Sequence, residues 1–297
     1  VVICGGGGGG GGGGDDSSDS KVLEVAVRLA ERLPGLYDMR KCHEDTFKKV
    51  GDAVNSLGVF LGQELVRFNG LIEVMKATLH QLQRAIKGEV VMSGELEAMY
   101  NCFVFQKVPE PWESAGYPCL KPLPSWVEDF MQRIQFMGDW LLLGPQKSYW
   151  LSGFFFPQGF MTAVKQTYSR EKQIAVDTLR IGCEVTAMDT ASIQAPPEYG
   201  AYVYGLFMEA GRFDRDTMQM DDSKHRVLFD EMPCIWLKPV ITEDYKPTDV
   251  YKTSIRAGTL STTGHSTNFV VALPIPTSSP ENHWIRRGCA MLCMLDE

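Results

Sequence analysis

The chain has 297 residues, 44% apolar and 10% aromatic, with 29 Lys and Arg against 37 Asp and Glu and a net charge of −8. This supports a sizeable core in two or three substructures and excludes a strongly basic nucleic-acid face. No run of 18 apolar residues occurs, so no membrane span is expected.

Residues 1–4 lack the charged start and longer apolar core of a signal peptide, and the absence of an initiator Met is expected for a piece of a longer polypeptide. Gly5–Gly14 are ten consecutive glycines, followed by Asp15-Asp16-Ser17-Ser18-Asp19-Ser20. This reads as a flexible, solvated insertion or linker. A phosphate-cradling loop instead needs spaced glycines after a strand and a Gly-Lys-Ser/Thr ending, which are missing here.

Val22, Val25, Ala26 and Leu29 share one face of a short helix stopped by Pro34-Gly35, and 36–56 read as a loop with a helical turn. The dominant signal is 57–87. Leu61, Leu65, Phe68, Ile72, Met75, Leu79, Leu82 and Ile86 alternate at spacings of four and three, an apolar seam that no polar residue is expected to interrupt. Arg84 and Lys87 suit the negative end of a helix dipole, and Gly88 stops it. The helix reads as a girder packed against neighbouring helices. A coiled coil is the alternative, disfavoured by Gly58, Gly62, Gly70 and irregular flanking charges. Ser93 caps a helix to about Val104, ended by Pro109 and Pro111. The pattern over 125–143 predicts a helix opened by a Ser125/Glu128 capping box, with Val127, Phe130, Ile134, Met137 and Leu141 as its seam and Gly144-Pro145 as its stop. A further helix runs from Pro157 to about Tyr168.

Near residue 170 the period changes from about 3.6 to about 2. Strands are expected at 179–185, 201–209, 212–214, 234–238, 250–255, 268–273 and near 290–295, in an antiparallel sandwich or barrel. The fold class is therefore α+β by segregation: a helical part with one long helix, then a small antiparallel β part.

Chemistry is sparse. Gly144-Pro145-Gln146-Lys147-Ser148 lacks the glycine before Lys and follows a helix, so it is not read as a phosphate loop. Ala290–Glu297 imitates a Walker-B strand through Asp296-Glu297, but no Walker A loop accompanies it. His265 and Ser266 are adjacent, which in a strand turns them to opposite faces; a small hydrolase using them is the remotest reading. The 258–268 stretch reads as a hydroxyl-rich turn. The eight cysteines form no CxxC pair and read as reduced, mostly buried thiols. Cys42-His43 and Cys289/Cys293 lack the further ligands of a zinc site. Asp15-Asp16 and Asp221-Asp222 read as loop solvation. Trp112, Trp126, Trp140, Trp150, Trp236 and Trp284 read as core and interface anchors. No catalytic, cofactor-binding or metal residue is assigned.

Longer words carry more. They are Val66-Arg67-Phe68-Asn69; Lys87-Gly88-Glu89-Val90-Val91-Met92-Ser93 with Glu95-Leu96-Glu97; the run from Tyr149-Trp150-Leu151-Ser152-Gly153 through Phe154-Phe155-Phe156-Pro157-Gln158; and Gly205-Leu206-Phe207-Met208-Glu209-Ala210. Tyr251-Lys252-Thr253-Ser254 with Arg256, the 258–268 run GTLSTTGHSTN, and His283-Trp284-Ile285-Arg286-Arg287-Gly288 complete the set. Over 57–297 the sequence resembles the C-terminal end of a dynein heavy chain, most like the axonemal branch of cilia and flagella. The resemblance implies helices followed by a small antiparallel β-barrel seated on a ring of AAA+ modules. It divides the sequence into 1–56, the end of the last AAA+ module with a disordered Gly/Asp/Ser insertion; 57–170, the helical part; and 171–297, the barrel. It implies a non-catalytic structural and regulatory region of an ATP-driven, minus-end-directed microtubule motor, with ATP and Mg²⁺ bound upstream and no cofactor in this stretch. Implied partners are the ring modules of the same heavy chain, microtubules through the parent motor, and other dynein chains, with no nucleic acid and no membrane. The implied location is the axoneme of a cilium or flagellum, within the cytoplasm and cytoskeleton. The alternative is an interaction module that docks another axonemal or motor component.

Overall fold

The computed structural model describes residues 14–50, 52–256 and 269–295. Most of the glycine run, the 258–268 turn with His265 and Ser266, and Asp296-Glu297 lie outside these residues. The helices are α1 (Gly14–Arg32), α2 (Ser56–Ile86), α3 (Gly94–Val104), α4 (Glu110–Ala115), α5 (Leu123–Leu143), α6 (Pro157–Lys172) and α7 (Glu281–Arg287). Two short strands, β1 (Lys49–Val50) and β2 (Ala53–Val54), precede α2, and β3 (Tyr149–Trp150) precedes α6. After α6 come β4 (Leu179–Val185), β5 (Ala201–Tyr204), β6 (Phe207–Glu209), β7 (Arg212–Asp214), β8 (Gln219–Asp221) and β9 (Phe229–Glu231). The last strands are β10 (Ile235–Ile241), β11 (Val250–Arg256), β12 (Phe269–Pro276) and β13 (Ala290–Leu292).

The 57–87 seam forms as one helix of 31 residues, unbroken at Gly70 and about 46 Å long. All seam positions are fully buried except Ile86, which is half-buried. One expectation fails within it. Glu64 is 0% exposed, so a carboxylate does interrupt the apolar stripe. Phe60 and Leu71 are buried too, so the stripe is wider than a two-position seam, as suits a helix with partners on more than one flank.

The protein divides into two compact units, and α2 contributes to both, 70–86 to the first and 56–69 to the second. Among the described residues the first unit comprises 14–36 and 70–115. Here Gln83 donates to the Ala26 carbonyl at 3.1 Å and Lys76 to the Pro34 carbonyl at 2.5 Å. Tyr100 donates to Asp19 at 2.7 Å, and Trp112, 0% exposed, donates its indole N–H to Thr78 at 2.9 Å. Ser93 caps α3 as expected, accepting from the Leu96 amide at 3.3 Å. The Asp/Ser stretch after the glycines is not a linker: residues 14–20 are the first turns of α1, with Asp19 anchored by Tyr100. Pro111 does not end structure either, because it sits in the first turn of α4, where its missing N–H costs nothing.

The second unit comprises the described residues of 37–69 and 116–295. The first turns of α2 pack here with α5 and α6 around aromatic rings. Phe60 meets Phe154 edge-on at 4.9 Å, Phe154 stacks on Phe160 at 4.9 Å, and Trp140 meets Tyr149 at 4.7 Å. Such offset and T-shaped pairs satisfy ring quadrupoles while burying large apolar area. α5 opens differently from expectation. It begins at Leu123 after Pro122, and no side-chain hydrogen bond caps it, so Ser125 and Glu128 lie inside the helix. A proline at the helix start fixes the backbone without needing a capping group.

The strands form a four-stranded sheet ordered β3-β5-β10-β4, a five-stranded sheet ordered β12-β11-β13-β6-β9, and the pairs β1-β2 and β7-β8. Two pairings are parallel, β3 with β5 and β11 with β13; the rest are antiparallel. Among the described residues no closed barrel is formed, and the expected purely antiparallel pairing is not found. The two larger sheets approach at β4 and β12, where the Cys183 thiol lies 3.2 Å from the Pro274 carbonyl. The single strand expected at 201–209 is two. Gly205 has φ +83° and breaks it, sending β5 into one sheet and β6 into the other.

Candidate functional site

A buried polar network in the second unit centres on Arg133. Arg133 and Asp129 are one helical turn apart on α5 and therefore share a face; they are 1% and 6% exposed. Arg133 Nε donates to Asp129 Oδ2 at 2.5 Å and Nη1 to the Ser152 carbonyl at 2.6 Å. The guanidinium lies 3.9 Å over the Tyr117 ring and 5.2 Å from the Trp150 ring. Its Nη2 is buried without a hydrogen-bond partner among the described residues. Lys121 Nζ lies 3.6 Å from Asp129 Oδ1. Ser152 carries the network onward, donating to the Gly205 carbonyl at 2.7 Å, at the corner where β5 gives way to β6. Burial pushes the Tyr117 phenol far above its usual range, despite the opposing Arg133 charge.

A second buried acid ties α2 to the same segment. Glu64 Oε2 accepts from the Phe155 amide at 2.6 Å, and Oε1 accepts from Arg67 at 3.0 Å. Burial dominates and raises the Glu64 carboxyl above the usual carboxylate range, although the Phe155 amide and Arg67 act against it. Arg67 also lies 5.8 Å over the Phe156 ring. Five residues after Glu64, Asn69 clamps the backbone of Tyr37 from both sides, accepting at 2.8 Å and donating at 2.9 Å. The Tyr37 phenol donates to the Ile134 carbonyl at 2.6 Å, and burial, with Asp139 adding, pushes it up to about 12.

The long sequence words therefore sit at framework contacts. Arg67, Asn69, Ser152, Phe155 and Gly205 come from them, and so does Trp284, whose indole donates to Thr277 at 3.0 Å. Tyr251 belongs to another word and donates to the Cys289 carbonyl at 3.1 Å. Glu64, Asp129 and Arg133 escaped sequence reading because they lie inside apolar seams, where a charged residue looks like a phase error. The spacing of Asp129 and Arg133 was the one signal that could have found them.

These groups join segments of the second unit that are distant in sequence. The carboxylates are committed to neighbouring donors. Burial pushes the Cys183 and Cys293 thiols up to about 12 and the Cys289 thiol up to about 11, far from nucleophilic thiolates. No disulfide and no group of His, Cys, Asp and Glu able to hold a metal occurs among the described residues. The 144–148 connection runs from the end of α5 into β3, the reverse of the strand–loop–helix order that cradles phosphate. Four tryptophans, Trp112, Trp126, Trp140 and Trp284, are at most 1% exposed, while Trp150 and Trp236 are half-buried. Asp221-Asp222 are not mere loop solvation. Asp221 pairs with Arg212, and Asp222 faces His283 at 2.8 Å and Arg287 at 3.1 Å. No helix among the described residues is long and apolar enough to cross a membrane.

Comparison with known proteins bears out the family resemblance carried by the sequence words. The family of C-terminal domains of the dynein heavy chain matches residues 4–293. Dynein axonemal heavy chain 3 of Homo sapiens is 43% identical over 283 residues, covering 93% of this sequence and 7% of that protein. Dynein axonemal heavy chain 12 of Rattus norvegicus is 41% identical over 284 residues, 94% of this sequence and 9% of that protein. Dynein axonemal heavy chain 1 of Rattus norvegicus is 44% identical over 246 residues, 81% of this sequence and 5% of that protein. The sequence thus spans less than a tenth of the length of these relatives. It belongs to the family of dynein heavy-chain domains that stand at the C-terminal end of these proteins.

Proposed function

We propose that this protein is the non-catalytic structural and regulatory region of an axonemal dynein heavy chain, an ATP-driven, minus-end-directed microtubule motor of cilia and flagella. In this reading 1–56 ends the last AAA+ module, 57–170 and 171–297 pack on the ring of the same heavy chain, and the β part acts as a barrel-like body. ATP and Mg²⁺ belong to upstream modules, and microtubules and other dynein chains are partners through the parent motor. The observation that carries the reading is α2. One unbroken helix of 31 residues contributes buried side chains to both compact units. A helix shared in this way transmits strain, so ring states that differ in their contacts to one unit bias the other.

Deleting 93–297 from a full motor tests the proposal. ATP hydrolysis should persist while its coupling to movement changes; unchanged single-molecule velocity and stall force would count against the reading. The 297-residue protein should bind no ATP, and saturable, tight nucleotide binding by calorimetry would refute that part. Exposed aromatics on the β part would favour the docking-module alternative. From 179 onward every Phe, Tyr and Trp ring whose side chain is described is buried or half-buried, which favours the structural reading.

A further inference from the structure

A cleft of about 210 Å³ opens in the second unit between the last turns of α6 and the loop before β5. Tyr149, Tyr168, Tyr199 and Pro197 line it together with Glu171 and Glu198. The Tyr168 and Tyr199 rings lie 5.4 Å apart at 44°, and Tyr199 lies 5.2 Å from the Trp236 ring. The loop is held in place by the Trp236 indole, which donates to the Tyr199 carbonyl at 2.8 Å. Tyr149 is buried at the cleft floor.

The charge of this cleft is one-sided. No Lys, Arg or His lines it among the described residues. Arg170, next to Glu171 in sequence, is engaged by the Val54 carbonyl at 3.0 Å and the Ser56 hydroxyl at 2.8 Å, on either side of the lining residue Asn55. Lys172, on the other side of Glu171, is exposed and lies outside the lining. Among the described residues neither Glu171 nor Glu198 has an ion-pair or hydrogen-bond partner, and neither Tyr168 nor Tyr199 uses its hydroxyl. Ring faces carry negative quadrupole charge, so aromatic walls beside unpaired carboxylates attract a cation and leave an anion unrecognised. The space is too small for a helix or strand and suits one extended side chain.

We propose that this cleft takes the guanidinium of an arginine side chain presented by a protein partner. A planar guanidinium stacks on tyrosine and forks onto carboxylates, which a compact ammonium does less well. The net charge of −8 suits the approach of such a basic segment.

Titrating the 297-residue protein with N-acetyl-arginine methylamide, followed by protein-detected NMR, tests this. Saturable shifts are expected at Tyr168, Tyr199 and their neighbours. The neutral citrulline counterpart should bind about five-fold or more weakly, as should the arginine probe to the Glu171→Gln, Glu198→Gln double variant. Both glutamates are exposed, so this variant should melt like the parent protein. Added salt should weaken binding to the parent protein. Absence of saturation, equal binding of the citrulline probe, or unchanged affinity in the double variant overturns the proposal.

Discussion

Glu64 accepts a hydrogen bond from the Phe155 amide at 2.6 Å, joining a helix to a segment 91 residues away in sequence, and its side chain is wholly buried. Burial raises its carboxyl above the ordinary range, so the folded state holds the Glu64 proton more tightly than the unfolded state does. The Glu64 contribution to stability is therefore fully present below the ordinary carboxylate range and declines as pH rises through the raised value. Glu64→Gln should remove this dependence. Denaturant unfolding of both proteins across about pH 4–8 should show the parent protein losing ground to the variant as pH rises. Parallel curves would show that burial does not govern Glu64.

Arg133 presents a different balance, because its charge is buried beside an opposite one. Asp129→Ala would leave the guanidinium buried without its carboxylate, at a cost of about 3–5 kcal/mol. Replacing both residues by apolar ones of similar size, Asp129→Leu with Arg133→Met, should cost less than the single change. Urea midpoints of the three proteins check this order. A double variant weaker than the single one would mean that the Ser152 and Tyr117 contacts, and not the ion pair, hold the segment.

Gly205 sets the corner at which the backbone leaves one sheet for the other. Its φ of +83° strains any other residue, and a Cβ there would run into the Trp150 ring and the Ser152 hydroxyl. Gly205→Ala should destabilise by roughly 1–3 kcal/mol or more. It should also shift the NMR signals of Trp150. A variant with an unchanged melting temperature would show that the corner is not held in this conformation.

Ile72 is 0% exposed in the part of α2 that belongs to the first unit. Ile72→Asp places an unpaired charge in an apolar core and should cost several kcal/mol. An intact thermal transition would place that face of α2 in solvent and undo the reading of α2 as a shared girder.

The cysteines give a chemical test. With thiols pushed up to about 12 at Cys183 and Cys293 and about 11 at Cys289, native protein should resist brief alkylation there at about pH 8. Mass spectrometry of peptides after an iodoacetamide pulse should find these sites labelled only once the protein is unfolded. Prompt native labelling would contradict the burial of Cys289 and Cys293 and the raised thiol of the half-buried Cys183.

Much of the helical part is legible in the amino-acid sequence. The α2 seam and the Ser93 cap are short-range patterns, and the period change near residue 170 separates helix from strand. The short strands at 149–150, 212–214, 219–221 and 229–231 are only two or three residues long, and only β7 was anticipated. Too few positions alternate in such pieces for a period to emerge, and they exist because a neighbouring strand supplies their hydrogen bonds. α4 and α7 were hidden similarly, each held by one buried tryptophan, Trp112 or Trp284, whose partner lies outside the helix itself.

The sequence by itself determined the family, the long girder and the α+β division. Those rest on residue words and on periodicity, which are properties of neighbouring positions. Only the tertiary structure decided that Glu64 and Arg133 are buried, that α2 serves two compact units, and that the strands enter separate sheets through the Gly205 corner. An ionisable side chain is tolerated in a core only where donors and acceptors meet it, and the partners distant in sequence, Phe155 for Glu64 and Ser152 for Arg133, are fixed by how the backbone folds back on itself.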